Sequence, residues 1–287
     1  MADRLTQRKF MKKIAFLLLL VLVPATLLVS LYEVFAADPD ADPPEFYFTR
    51  LVYSENSQMR RGFTMPKPDF QFTCPEFGGG NFFPRQGWGW ATDYPGGDCK
   101  FMGAVHRLTG IRVHEDPNVV AIMDDELFQF PFVYAVEVGG MGLSDREAAR
   151  LREYLLRGGF MHVDDFWGLR QRGNFEAQMR KVFPDRLIER LPLTHPIFHT
   201  FFDIETVMQI PNRGNGCFGG PTWESRDDTM PAIYGISDDE GRVMVAVTYN
   251  SDLGDAWEYM DLRCYPEIYS GYAYRAGLNF MIYAMTH

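Results

Sequence analysis

The sequence predicts an α/β fold built on a doubly wound, mostly parallel sheet, and three observations predict it. Residues 132–138 (FVYAVEV) are almost wholly apolar, as strands buried on both faces of a parallel sheet are. The stretch SDREAARLREYLL that follows has a capping box at Ser144 and Glu147, with Ala148, Leu151, Tyr154 and Leu155 on one helical face. A second apolar run, residues 160–163, comes next. Strand, helix and strand thus fall within about 30 residues, the length of a right-handed βαβ unit.

Before that unit, residues 45–53 (EFYFTRLVY) alternate and read as the first strand. Residues 54–90 have no helical period and many Gly and Pro, so they form a long irregular insertion, a type of segment that is usually functional. A helix is expected over about residues 97–108, ended by Gly110 and followed by a short strand. After the unit, RGNFEAQMRKVF reads as a helix stopped before Pro184, and THPIFHTFFDIE as a capped helical turn running into a strand. Two further strands surround the turn at residues 238–241. SDLGDAWEYMD reads as an acidic loop, and GYAYRAGLNFMIYAM as a long closing helix.

The amino-terminal region differs from the rest. Residues 4–13 are strongly basic, and residues 14–31 (IAFLLLLVLVPATLLVSL) carry no charge over 18 positions. That length lies between the core of a signal peptide and a spanning helix. Cleavage after Ala36 and an uncleaved single anchor both fit, and both export the remainder. Residues 1–36 are therefore read as signal or anchor, 37–44 as an acidic Pro-rich linker and 45–287 as the folded domain. Removing residues 1–36 takes five Lys and Arg from 28 and two Asp and Glu from 38, leaving a formal charge of −13. Such a surface repels phosphate backbones, so nucleic acid is not an expected partner. The four cysteines all lie in the exported part without CxxC spacing. Disulfides suit that compartment, and Cys217 with Cys264 is the favoured bridge; four unpaired core thiols is the other reading.

Several motifs together, GWATDYPGGD, VEVGGMGLSDREAARLREYLLRGGFMHVDDFWG, LTHPIFHTFFDI, YNSDLGDAWEY and a terminal AMTH, resemble domain-of-unknown-function family 4159. The resemblance covers nearly all of residues 45–287. It implies a flavodoxin-like, class I glutamine amidotransferase-like domain in an exported or membrane-tethered bacterial protein on the periplasmic side of the inner membrane. It supplies no activity. The catalytic enzymes of that wider superfamily carry a cysteine on a strained strand-to-helix turn. Here the corresponding strand end carries Asp164 and Asp165, with no cysteine within thirty residues. GGFMHVDDF and THPIF are also similar to trehalose-utilisation-type members, which lack the cysteine as well and are suspected of a sugar association.

The candidate site residues follow. Asp164 and Asp165 are expected just beyond the carboxyl end of a buried strand, where open α/β sheets bind ligands. They are open to three readings: capping the next turn, holding a polar ligand or hard cation, or acid–base chemistry. His195 and His199 have the i, i+4 spacing of metal ligands, with Asp203 four residues on, but no adjacent Glu base, and Pro196 favours a local structural role. His162 reads as a core histidine. Asp252, Asp255 and Glu258 gather around a glycine without the alternation of a calcium loop. Trp88, Trp90, Trp167 and Trp257 would suit carbohydrate stacking, or simply cover a sheet edge. No Walker loop, G-x-S-x-G or G-x-G-x-x-G occurs, and no cofactor is expected.

Two functions emerge as expectations. The first is a non-catalytic, membrane-tethered domain serving as an accessory subunit, with residues 54–90 contacting a protein partner and Asp164, Asp165, Trp167, Asp252, Asp255 and Trp257 facing a ligand. The second is a hydrolase or sugar-modifying enzyme using Asp164 or Asp165 with His195 or His199.

Overall fold

The computed structural model describes residues 46–59, 66–68, 73–79 and 87–287. The chain divides into Met1–Pro44 and Glu45–His287, and the fold is that of the second unit. The apolar run 14–31, the cleavage site and the linker lie outside the described residues. Among those described, no helix is long and apolar enough to cross a membrane.

Seven strands form one sheet: β1 (Thr49–Val52), β2 (Asn118–Ala121), β3 (Phe132–Val136), β4 (Phe160–Asp164), β5 (Glu189–Arg190), β6 (Ala232–Ser237) and β7 (Val243–Tyr249). Their order is β2-β1-β3-β4-β7-β6-β5. The first five are parallel neighbours, while β6 and β5 extend the edge in antiparallel fashion. This is a flavodoxin-like arrangement, in which the strand order reverses beside β1 and opens a crevice at the carboxyl ends.

The helices are α1 (Gly96–Thr109), α2 (Asp145–Leu156), α3 (Gly168–Val182), α4 (Arg213–Phe218), α5 (Leu253–Glu258) and α6 (Glu267–Thr286). Alternate strand residues feed two cores. Phe48, Tyr134, Phe160 and Ala246 pack with Phe101 of α1, Trp257 of α5 and Phe280 of α6. Val133, Met161, Val163 and Val245 pack on the other face with Leu151 of α2 and Phe175 of α3. The β3–α2–β4 unit has the expected capping box: Ser144 Oγ accepts from Glu147 N, and the Glu147 carboxylate accepts from Ser144 N.

Several local expectations change. Helix α3 begins at Gly168 rather than near Arg172, so only Asp165, Phe166 and Trp167 separate it from β4. SDLGDAWEYMD is not an open loop: Asp252 caps α5 by accepting from Asp255 N at 2.8 Å. THPIFHTFFDIE makes a 3₁₀ turn at Pro196–Phe198 and no strand follows it, because its backbone pairs with Asn279 of α6 instead. Within the described parts of 54–90 there are only two 3₁₀ turns, Pro75–Phe77 and Gly89–Ala91, and the chain is tied down by a disulfide from Cys74 to Cys99. A second disulfide joins Cys217 to Cys264, so no free thiol remains.

Candidate functional site

The site is built where β3, β4 and β7 end. At each end one non-glycine residue takes a left-handed backbone: Glu137 (φ 54°), Asp165 (φ 51°) and Asn250 (φ 54°). Such conformations are unfavourable for residues with a Cβ and gather where geometry serves a site. The turn at Asp165 reverses the strand alternation, so Asp164 and Asp165 need not point to opposite faces. Asp164 is the last residue of β4, not beyond it, and Asp165 N donates to Ser251 O across the gap to the β7 end.

Asp164 is fully buried. Its Oδ2 accepts from Tyr134 Oη at 2.7 Å, Leu253 N at 2.8 Å and Gly254 N at 3.1 Å, so it ties β3 to the start of α5. Burial pushes its carboxyl up to about 7, against these hydrogen bonds, which favour the charged form. Asp165, 6% exposed, accepts from Trp167 Nε1 at 2.7 Å. Burial again raises its pKa well above the ordinary value, with Glu137 and Glu224 adding repulsion.

Asp252 and Asp93 are also buried, and burial followed by neighbouring carboxylates raises both. Two acidic groups result. Asp93, Asp255 and Glu258 bring carboxylate oxygens within 4.8 Å of one another, and so do Asp165, Glu224 and Asp252. Asp255, within hydrogen-bond reach of Asp93 and Asp252, joins them. The buried cation nearby is Arg50 on β1, already engaged by Asp98, with Nη2 to Oδ1 at 2.6 Å, and by the carbonyls of Trp90 and Thr92. Burial opposes the charge on Arg50, but Asp98 more than offsets it and keeps the guanidinium protonated.

The predicted site residues therefore separate. Asp164, Asp165, Asp252, Asp255 and Glu258 converge. His195 and His199 do not join them. His195 caps its 3₁₀ turn and faces Tyr283, which packs on Phe160 and accepts from Val243 N, at the amino ends of β4 and β7. His199 uses Nδ1 on Asp203 (2.9 Å) and Nε2 on Leu193 O (2.8 Å). The pair sits at the opposite end of the sheet from the aspartates, which removes the proposed Asp–His couple. His162 is a core residue bonded to Thr248 Oγ1 at 2.7 Å, with burial lowering it to about 3. Trp90, Trp167 and Trp257 are buried in the core and offer no stacking face; Trp88 is half-exposed. It lines a small recess with Glu55, Met59, Glu137 and Gln171 at the β1 and β3 ends.

Sequence reasoning did not single out Asp93, Glu224 or the Arg50–Asp98 pair. The signal for Asp93 was in TDYPGGD, where it takes φ 60° before a cis Tyr94–Pro95 bond. A turn aspartate of that kind looks no different from any other.

The family model described as Domain of unknown function (DUF4159) matches residues 84–285, well over half of the chain. The chain belongs to this family. The DUF4159 match starts inside the irregular insertion and takes in β2 to β7, α1 to α5, α6 up to residue 285, and both acidic groups. No curated protein matches the chain.

Proposed function

We propose that this DUF4159 protein is an exported, membrane-tethered binding domain, an accessory subunit of a membrane-associated assembly, whose strand-end face engages its ligand or partner. The observation that carries this reading is the convergence of Asp93, Asp164, Asp165, Asp252 and Asp255 at the carboxyl ends of the sheet, with no free cysteine thiol and with His195 and His199 at the opposite end. Buried like charges held together lower stability, so their clustering argues for a site rather than for packing. The finer fold assignment, an amidotransferase-like domain without its thiol, belongs to the same proposal. It is supported by Asp164 and Asp165 at the end of β4 and by the engagement of all four cysteines in disulfides. The uncharged run 14–31 supports the tether.

The test is gentle detergent extraction of the full chain from native membranes, followed by intact mass and identification of co-purifying proteins. Deleting 54–90 outright would remove buried Trp90 and Cys74, so the half-exposed Trp88→Asp and the site variant Asp165→Asn are the informative changes. Expected are a mass that includes residues 14–31 and stoichiometric companions reduced by at least one variant. A chain that starts near Ala37, runs alone and shows no dependence on either variant would overturn the reading. Turnover lost in Asp165→Asn would favour the enzyme.

A further inference from the structure

One corner of this face specifies a ligand more closely. Asp93, Asp255 and Glu258 offer oxygen only, within 4.8 Å of one another. Asp93 is 5% exposed, yet its Oδ2 accepts no hydrogen bond from any group among the described residues. Asp255, within hydrogen-bond reach of Asp93, has nothing to donate when ionised. The backbone is cut away on both sides of the cluster. A Cβ on Gly254 would lie 2.4 Å from Asp93 Oδ2, and one on Gly96 would lie 2.5 Å from Glu258 Oε1. Asp255 and Glu258 are only partly buried, which leaves a route from solvent.

We propose that Asp93, Asp255 and Glu258 form a binding site for a hard divalent cation. Three carboxylates with no nitrogen or sulfur donor match the preference of Ca²⁺, Mg²⁺ and Mn²⁺. The cation adds to the positive charge of Arg50, whose hydrogen bonds go to Asp98, and it gives Asp93 Oδ2 its missing partner. The remaining coordination positions face the half-buried side and take water or an oxygen of the bound ligand. The other acidic group, Asp165, Glu224 and Asp252, leaves no buried oxygen without a partner and is outside this proposal. The inference rests on the binding reading above and names one ligand of that face.

The test is isothermal titration calorimetry of the full chain, stripped with chelator and held in detergent at neutral pH, with Ca²⁺, Mg²⁺ and Mn²⁺ in turn, alongside Tm. One ion per chain and a higher Tm are expected. Asp93→Asn should weaken binding by about 100-fold or more, beyond the 10–100-fold typical of outer partners. Glu258→Gln, at a half-buried position, should weaken it too, and it decides the matter if Asp93→Asn does not fold. Glu153→Gln, on the exposed side of α2, should bind as wild type. No binding of any of the three ions, or unchanged binding in Asp93→Asn and Glu258→Gln, overturns the proposal and leaves a shared proton as the occupant. Repeating the co-purification with chelator separates the two ideas. Companions that persist when no ion binds sink the cation alone; ion binding without companions sinks the accessory-subunit reading alone.

Discussion

Tyr134 and two backbone amides hold one oxygen of Asp164, and burial sets the proton affinity of the whole group. Its pKa rises from 3.8 to about 7 on folding. Between those values the folded state binds more protons than the unfolded state, so stability falls as pH rises from about 4 to about 7 and levels off above. The upward shifts of Asp93, Asp165, Asp252 and Asp255 act in the same direction. Urea unfolding of the cation-free protein should therefore give a higher free energy at pH 5 than at pH 8, and Asp164→Asn, which keeps an acceptor for Leu253 and Gly254, should flatten that slope. Arg50→Met leaves Asp98 charged and buried without its partner, and a loss of about 3–5 kcal/mol is expected in the same assay. Asp164 and Asp165 were legible because a polar pair interrupts an apolar strand. Arg50 was not, since one cation in an alternating strand looks solvent-facing until its partner on α1 is in place.

Elements with enough length and punctuation were readable. The α2 capping box forms as its S-x-x-E spacing predicts, and Ser144→Ala should cost about 1 kcal/mol in thermal or urea unfolding without moving the strand-end face. Helix α5 was missed because its six residues span less than two turns, too few for a period to emerge, and its start depends on Asp164 accepting from Leu253 N and Gly254 N. The first turn of α3 is hidden in the sequence for a related reason: Gly168, with φ 72°, opens it, and its N–H is met by Asn250 from the β7 end, a contact 82 residues away in sequence. Gly254 is sensitive for steric reasons. Gly254→Ala should destabilise α5 and lower Tm, because the added methyl would overlap Asp93 Oδ2.

Across the whole molecule, the disulfides bind the irregular regions to the α/β frame. Cys74–Cys99 closes a separation of 25 residues and Cys217–Cys264 one of 47. Loop closure alone assigns each about 3–4 kcal/mol, so Cys217→Ser with Cys264→Ser should lower the unfolding free energy by that order, and reductant should have no further effect through that bridge. The sheet order also decides chemistry. It puts the ends of β3, β4 and β7 side by side and sends the His195 turn to the opposite end of the sheet, beside the amino ends of β4 and β7.

By itself the sequence determined the α/β class, the βαβ unit and the place of Asp164 and Asp165 at a strand end. Each of these rests on short-range regularities: apolar runs, capping chemistry and the alternation of buried and exposed positions. Only the tertiary structure decided which carboxylates meet. Asp93, Asp165 and Asp255 lie far apart in the chain, and what joins them is strand order, three left-handed turns and the docking of α5. None of those contacts has a local pattern, because each is the sum of packing interactions spread over both cores.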